Sequence, residues 1–125
     1  MSLWVSRLGI FSKRRFLMYL KLISNGITGV QFQLTEGQNI VGRADPSENI
    51  LPEINLEQFD VDAKVSRRHA LISKTSDKVV IEDLGSLNGT FINRSLRLEK
   101  GMLHELEDGD EVLIGKVMLR FFSGD

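Results

Sequence analysis

Three short turns of the sequence combine glycine or small polar residues with hydrogen-bond donors. They are Gly42-Arg43, the segment from Val65 to His69, and the segment from Gly85 to Thr90. All three lie between apolar runs of the chain. Hydroxyl, amide and guanidinium groups all donate to oxygen, so the chemistry that these turns offer is the binding of an anion.

Basic residues flank one serine in the second turn. Lys64, Arg67 and Arg68 supply positive charge around Ser66, whose hydroxyl can donate to an anion. Arg43 follows a glycine, and its planar guanidinium could present paired donors to a phosphate or a carboxylate. Taken singly, however, Arg43 is more typical of a solvated surface charge, and the serine turn is equally typical of an ST-turn beside solvated charges.

The third turn centres on Asn88-Gly89, a pair that tolerates positive φ. The Asn88 amide could also bracket an extended peptide by bonding its main-chain N–H and C=O. From the local sequence, the simple turn is the favoured interpretation.

In order and spacing, these motifs resemble the signature of the forkhead-associated (FHA) domain family. The resemblance covers roughly residues 20–122 and rests on Gly42-Arg43, Ser66-Arg67-Arg68-His69 and Asn88-Gly89-Thr90, with further matches at Asp83 to Ser86, Phe91 to Asn93, Leu106 to Val112 and Ile114-Gly115. It implies an all-β sandwich of about eleven mostly antiparallel strands, whose loops at one end bind a phosphothreonine in an extended partner peptide.

The resemblance also implies roles for individual residues. Arg43 would contact the phosphate, and Ser66 would donate to it through its hydroxyl and backbone. Asn88 would bond the peptide main chain and fix its register. Arg67 and Lys64 would add further basic contacts.

Other motif positions carry structural roles under the same resemblance. His69 would tie neighbouring loops together, while Gly42, Gly89 and Thr90 would shape the turns. Leu87 departs from the family pattern, because several phosphothreonine binders place a threonine or another polar residue there. A side-chain contact to the phosphate is therefore lost, and the backbone amide of Leu87 is expected to remain available.

The elements that must position these turns read as short strands. Alternating apolar runs rich in β-branched and aromatic residues predict ten of them, and Gly115-Lys116 predicts a tight hairpin. The predicted strands are Met18 to Ile23, Gly29 to Leu34, Asn39 to Gly42, Ile54 to Leu56, His69 to Lys74, Val79 to Asp83, Thr90 to Ile92, His104 to Leu106, Glu111 to Ile114 and Val117 to Phe122.

Composition fits one globular domain, expected over residues 17–125. The 125 residues carry a net charge of -1 and contain no cysteine, which argues against nucleic-acid binding, thiolate chemistry and a disulfide framework. Ser66 and His69 are the only tempting catalytic pair, and they lack an obvious third member. We therefore expect no enzyme activity, no cofactor and no metal.

Residues 1–16 differ from the rest of the chain. Trp4, Leu8, Phe11 and Arg15 follow a helical spacing, so this segment is predicted to be a basic amphipathic extension. Arg7 interrupts the apolar run, which argues against a secretory signal. Contact of this extension with a membrane is the less favoured alternative.

The resulting hypothesis is a cytoplasmic module that recognises phosphothreonine in a partner, itself the substrate of a Ser/Thr kinase, and so mediates phosphorylation-dependent interaction in signalling. The alternative is a phosphorylation-independent adaptor or self-association module on the same fold. FHA domains commonly sit beside other modules, so a longer multidomain chain is compatible with both. The acidic segment from Ala44 to Ala63 is the candidate reader of residues around the phosphothreonine.

Overall fold

The computed structural model describes residues 17–24 and 26–124. The predicted amphipathic extension at residues 1–16 lies outside the described residues. The domain boundary after residue 16 therefore stays a prediction.

The described residues form eleven β-strands and two short 3-10 helices. The 3-10 helices are Pro46–Glu48 and Glu57–Phe59. No helix in this part of the chain has the length and apolar character needed to cross a membrane. The strands are β1 Met18–Leu22, β2 Gln31–Gln33, β3 Gly37–Gly42, β4 Ile54–Asn55, β5 Ala70–Thr75, β6 Lys78–Asp83, β7 Thr90–Ile92, β8 Leu96–Arg97, β9 His104–Glu105, β10 Glu111–Ile114 and β11 Val117–Ser123.

Two sheets form the predicted β-sandwich. One sheet has the strand order β2-β1-β11-β10-β7-β8, and the other has the order β4-β3-β5-β6-β9. All pairs are antiparallel except β3 with β4, which run parallel. The acidic segment after β3 connects these two parallel strands. It contains the 3-10 helix Pro46–Glu48, and β4 begins after it.

Alternation of apolar side chains explains the core. In β1, Met18, Leu20 and Leu22 are buried, and β11 buries every second residue in the same way. From the opposite sheet, Ile72 and Ile81 are fully buried. Burying one such side chain contributes about 1.5–3 kcal/mol, so the two inner faces hold the sheets together.

The ten predicted strands all exist, with shifts at their ends, and β8 was missed. Leu96–Arg97 contains only two residues and shows no alternation that a sequence pattern could detect. Its pairing is tertiary, because Phe91 lies opposite Arg97 and Ile92 opposite Leu96.

Strand register brings the three turns to one end of the sandwich. Val41 pairs with Ala70, and Ala70 pairs with Asp83, so β3 ends, β5 begins and β6 ends at the same level. In the other sheet, Thr90 pairs with Ile114. The loops that follow or precede these residues must therefore meet at this end.

Candidate functional site

An open cavity of about 440 Å³ lies where the first two turns meet. Its lining contains three arginines, one serine, one acid and one apolar residue, so cationic donors dominate it. The lining residues are Arg43, Ser66, Arg67, Arg68, Glu48 and Ile50. Such a set fits an anion with several acceptor oxygens.

Arg43 is held from its inner side. Its Nε donates to the carbonyl of Val65 at 3.1 Å, and its backbone amide donates to the carbonyl of Arg67 at 3.2 Å. No described residue accepts a hydrogen bond from its two terminal amino groups. A half-buried guanidinium fixed in this way presents those groups to the cavity without a further loss of side-chain freedom.

Ser66 offers its hydroxyl as a donor. Its Oγ accepts the amide N–H of Leu87 at 3.2 Å, which leaves the hydroxyl proton free to point elsewhere. The amide of Ser66 donates to His69 Nδ1 at 3.0 Å. The hydroxyl is therefore the group that Ser66 can direct to a ligand.

Leu87 is placed differently from expectation. Its amide is engaged by Ser66 Oγ and is not freely available as the sequence predicted. Its side chain is 84% exposed, so this apolar group projects from the tip of the turn. Leu87 therefore ties the turn to the serine loop through its backbone amide and not through its side chain.

His69 connects two of the turns. Its ring is fully buried, Nδ1 accepts from Ser66, and Nε2 donates to the carbonyl of Gly89 at 2.8 Å. This pattern requires the neutral ring with its proton on Nε2. Burial lowers the pKa of His69, which keeps the ring neutral. Both nitrogens are engaged, as a structural histidine requires.

Asp83 organises the third turn. Its buried carboxylate accepts hydrogen bonds from the amides of Gly85 and Ser86 and from the hydroxyls of Ser86 and Thr90, at 2.6–2.9 Å. Burial alone would raise the pKa of Asp83, but the hydrogen bonds from Ser86, Thr90 and Gly85 outweigh it and lower that pKa. An ionised acid at the base therefore fixes the shape of the turn.

Asn88 spans the gap to the serine loop. Its Nδ2 donates to the carbonyl of Lys64 at 3.0 Å. An amide nitrogen carries two protons and the amide oxygen has two lone pairs, so Asn88 retains one donor and its acceptor. Those are the two groups that the main chain of a bound peptide requires.

Gly42 allows the first two turns to approach each other. A Cβ at Gly42 would lie 1.9 Å from the carbonyl oxygen of Arg67, a backbone atom. Any larger residue would push the two loops apart. The requirement is close approach, since the φ of Gly42 is not positive.

Arg67 lines the cavity but is shared with an acid. Its Nη1 contacts Asp45 Oδ2 at 2.9 Å, and its side chain is 46% exposed. Hydrogen bonds from Ser47 and then Arg67 lower the pKa of Asp45. An anion in the cavity would compete with this carboxylate for Arg67.

Lys64 is not brought into the cavity. It is exposed, its amide donates to Asp60 Oδ1 at 2.8 Å, and its carbonyl accepts from Asn88. The hydrogen bonds that Lys64 makes here are those of its backbone, and the contact from its ammonium that the resemblance implies stays a prediction.

Sequence reasoning left five contributors off the site. Arg68 was noted only as nearby charge, and the acidic segment hinted at Glu48 without distinguishing it from its neighbours. Ile50 and Asp60 carried no local signal of their positions, and Asp83 belonged to a matched motif but was given no role in the site. Asp60 caps the serine loop by accepting the amides of Lys64 and Val65.

The sequence matches the protein-family model described as "FHA domain" over residues 39–115, more than half of the chain. Among curated proteins, the "Oxoglutarate dehydrogenase inhibitor" of Corynebacterium jeikeium is 35% identical over 96 residues, which cover 77% of this chain and 58% of that protein. The chain spans less than two thirds of the length of the curated relatives first matched.

Solved structures give the same match. The FhaA FHA domain complexed with the intracellular domain of Rv3910 aligns with a TM-score of 0.67 and 30% identity, over 83% of this chain and 98% of that chain. A structure described as "Structural and functional analysis of phosphothreonine-dependent FHA domain interactions" aligns with a TM-score of 0.65 and 30% identity, over 84% of this chain and 94% of that chain.

Proposed function

This chain belongs to the FHA domain family, and from that premise we propose that it binds phosphothreonine in an extended segment of a partner protein. The observation that carries the proposal is that Arg43 and Ser66 line the same cavity. The terminal amino groups of Arg43 and the hydroxyl proton of Ser66 remain available there as hydrogen-bond donors. Phosphorylation of the partner would then switch the interaction on.

The chemistry of phosphate supports this choice over an unmodified hydroxyl. A phosphothreonine brings a charge of about -1.5 to -2 and three acceptor oxygens. Arg43 and the Ser66 hydroxyl would form charge-assisted hydrogen bonds with them. Arg67 contributes less, because it must first be shared with Asp45.

Asn88 fixes the register of the bound peptide in this proposal. Its free amide proton bonds a main-chain carbonyl of the peptide, and its oxygen accepts a main-chain N–H. The turn from Leu87 to Thr90 forms the wall that contacts the threonine methyl group and so disfavours phosphoserine.

The module acts by binding and not by catalysis in this proposal. His69, the nearest candidate base, uses both ring nitrogens in holding the loops. No group of three His, Asp or Glu side chains within the described residues could hold a metal ion. The partner is a protein phosphorylated by a Ser/Thr kinase, met in the cytoplasm, and nucleic acid is not a ligand.

Fluorescence anisotropy with degenerate peptides tests the proposal. Three libraries carry phosphothreonine, phosphoserine or plain threonine at the fixed position. We expect binding of the phosphothreonine library alone, and a loss of at least about tenfold in Arg43→Ala and in Ser66→Ala, since each removes a charge-assisted hydrogen bond worth about 1.5–3 kcal/mol.

Arg94→Ala and Ser95→Ala serve as matched controls. Both residues are exposed in the turn between β7 and β8, at the opposite end of the sandwich. They should bind as the unaltered protein does. Equal binding of phosphorylated and plain peptides would instead indicate the phosphorylation-independent adaptor.

A further inference from the structure

A second pair of cations flanks the turn that holds Asn88, outside the arginine cavity. The first is Arg97 in β8. The position that a Cβ would occupy on Gly89 lies 3.1 Å from Arg97 Nε and 3.2 Å from its Cζ. The same guanidinium lies over the ring of Phe91, at 5.5 Å from the centroid. Arg97 is thus an exposed cation whose orientation is fixed by packing.

The second cation is Lys100. Its side chain runs along Gly85, with Nζ 3.6 Å from the position that a Cβ would occupy there. The amide of the next residue, Gly101, donates to the carbonyl of Asp83 and so anchors this segment to the base of the turn. Because Ser86 Oγ accepts the amide of Gly89, Gly85 and Gly89 belong to one compact turn. Arg97 and Lys100 therefore flank the same turn.

Neither charge is neutralised within the part of the chain that the structure describes. The ion pairs there involve other cations, such as Arg67 with Asp45 and Arg94 with Glu111. A cation held in place without a carboxylate partner can meet an anion with little further loss of side-chain freedom.

We propose that Arg97 and Lys100 form a second anion subsite, which takes an acidic or phosphorylated side chain of the same bound phosphopeptide. The inference rests on the proposed function, because the phosphothreonine in the arginine cavity delivers the peptide to this turn. An acidic residue and a phosphorylated residue would both present an anionic side chain a few residues from the phosphothreonine.

The hydrogen bonds of the site limit the distance between the phosphate position and the second subsite. Ser66 Oγ bonds the amide of Leu87, two residues before Gly89, against which Arg97 lies. Arg97 is therefore at most about 17 Å from Ser66 Oγ. An extended peptide advances about 3.3 Å per residue, so the anion belongs at most about five residues from the phosphothreonine.

The acidic Glu48 on the cavity wall limits the preference for an anionic residue to one side of the phosphothreonine. Glu48 lines the arginine cavity, so an acidic residue passing it is repelled, whereas one passing Arg97 and Lys100 is attracted. The preference for an acidic residue should therefore appear on one side of the phosphothreonine only.

A positional scan tests the subsite. Phosphothreonine peptides with alanine flanks receive one glutamate, or one phosphoserine, at each position from five before to five after the phosphothreonine. Affinities are measured for the unaltered protein, for the Arg97→Gln, Lys100→Gln double variant, and for Lys78→Gln. Lys78 is an exposed lysine at the opposite end of the sandwich, so it controls for charge alone.

We expect a gain of about fivefold, or about 1 kcal/mol, at one or two positions on one side. The gain should be larger with phosphoserine, absent from the double variant and kept in Lys78→Gln. Binding of the alanine-flanked peptide should be equal in all three proteins. If the double variant loses folding stability, Lys100→Gln alone should lose part of the gain and Arg97→Lys should keep most of it.

Two results would separate the inference from the function on which it rests. If the alanine-flanked peptide binds but no position shows a gain specific to Arg97 and Lys100, the subsite is refuted and the proposed function stands. If that peptide does not bind at all at any accessible concentration, the proposed function fails and the subsite fails with it.

Discussion

At the residue scale, the position of Ser66 depends on a chain of hydrogen bonds through one ring. Its amide donates to His69 Nδ1, and His69 Nε2 donates to Gly89, which neighbours Asn88. If Nδ1 gained a proton, it would face the Ser66 N–H as a second donor, and the bond would be lost. The neutral form of His69 is therefore part of the geometry of the site.

This dependence predicts how stability changes with pH. Burial lowers the pKa of His69 in the folded state below its ordinary value of about 6.5, so the unfolded chain binds more protons than the folded one between those two values. Stability from His69 is fully present above about pH 6.5 and falls as the pH falls below it. Urea unfolding across this range should show the decline.

His69→Gln provides the comparison for that measurement. Glutamine does not titrate, so the variant should be less stable at neutral pH and should show a shallower decline below pH 6.5. An identical pH dependence in the variant and the unaltered protein would contradict this role for His69. The second histidine, His104, is present in both proteins and cancels from the comparison.

At the element scale, the acidic segment between β3 and β5 is ordered into two 3-10 helices and β4, and only its first part lines the cavity. Glu48 reaches the cavity wall, whereas Asp45 holds Arg67 and Asp60 caps the serine loop. Residues of the same charge thus have three different roles, which strand register and loop path assign.

Glu48 predicts a preference for basic residues beside the phosphothreonine. Its carboxylate is exposed, so the contribution is that of a surface charge pair, up to about 1 kcal/mol. In Glu48→Gln, the preference for lysine over glutamate at neighbouring peptide positions should weaken about threefold. Competition between lysine- and glutamate-containing phosphopeptides in anisotropy measures this ratio.

Glu57→Gln is the matched control for Glu48. It removes an acid from the second 3-10 helix of the same segment, and Glu57 is not among the residues that line the arginine cavity. The preference should be unchanged in this variant. A similar loss in both variants would mean that the whole segment acts through its net charge, and Glu48 would have no special role.

At the scale of the whole molecule, the site rests on two sheets whose inner faces pack together. The loops carry the donors, but register within the sheets sets how far apart they lie, as the pairing of Ala70 with Val41 and Asp83 shows. Stability therefore derives from residues remote from the cavity, and weakening the core should lower stability before it changes affinity.

Leu119→Ala tests this separation. Leu119 is fully buried in β11, and truncating a buried leucine to alanine costs about 2–5 kcal/mol through lost burial and the cavity left behind. The urea midpoint should fall accordingly, while phosphopeptide affinity at low temperature stays within about twofold. Leu103→Ala, at a side chain that is 65% exposed, should change neither quantity.

The sequence by itself determined the strands with clear alternation, the three donor-bearing turns and the family, because strand periodicity and turn chemistry are local properties. It missed β8, which is a strand only through its partner β7. Its assignment of Lys64 to the phosphate stays a prediction, and Lys64 is not among the residues that line the cavity. Its expectation for the Leu87 amide was wrong, because that amide bonds a serine 21 residues away in the chain.

Only the tertiary structure decided which charged side chains lie close together. Arg68 and Glu48 line the cavity with Arg43, whereas Arg97 and Lys100 flank a different turn. These neighbours come from separate loops and strands, and their distances depend on strand register and on close backbone approach at Gly42. Local sequence encodes the shape of each turn, but the packing of the two sheets sets the distances between turns.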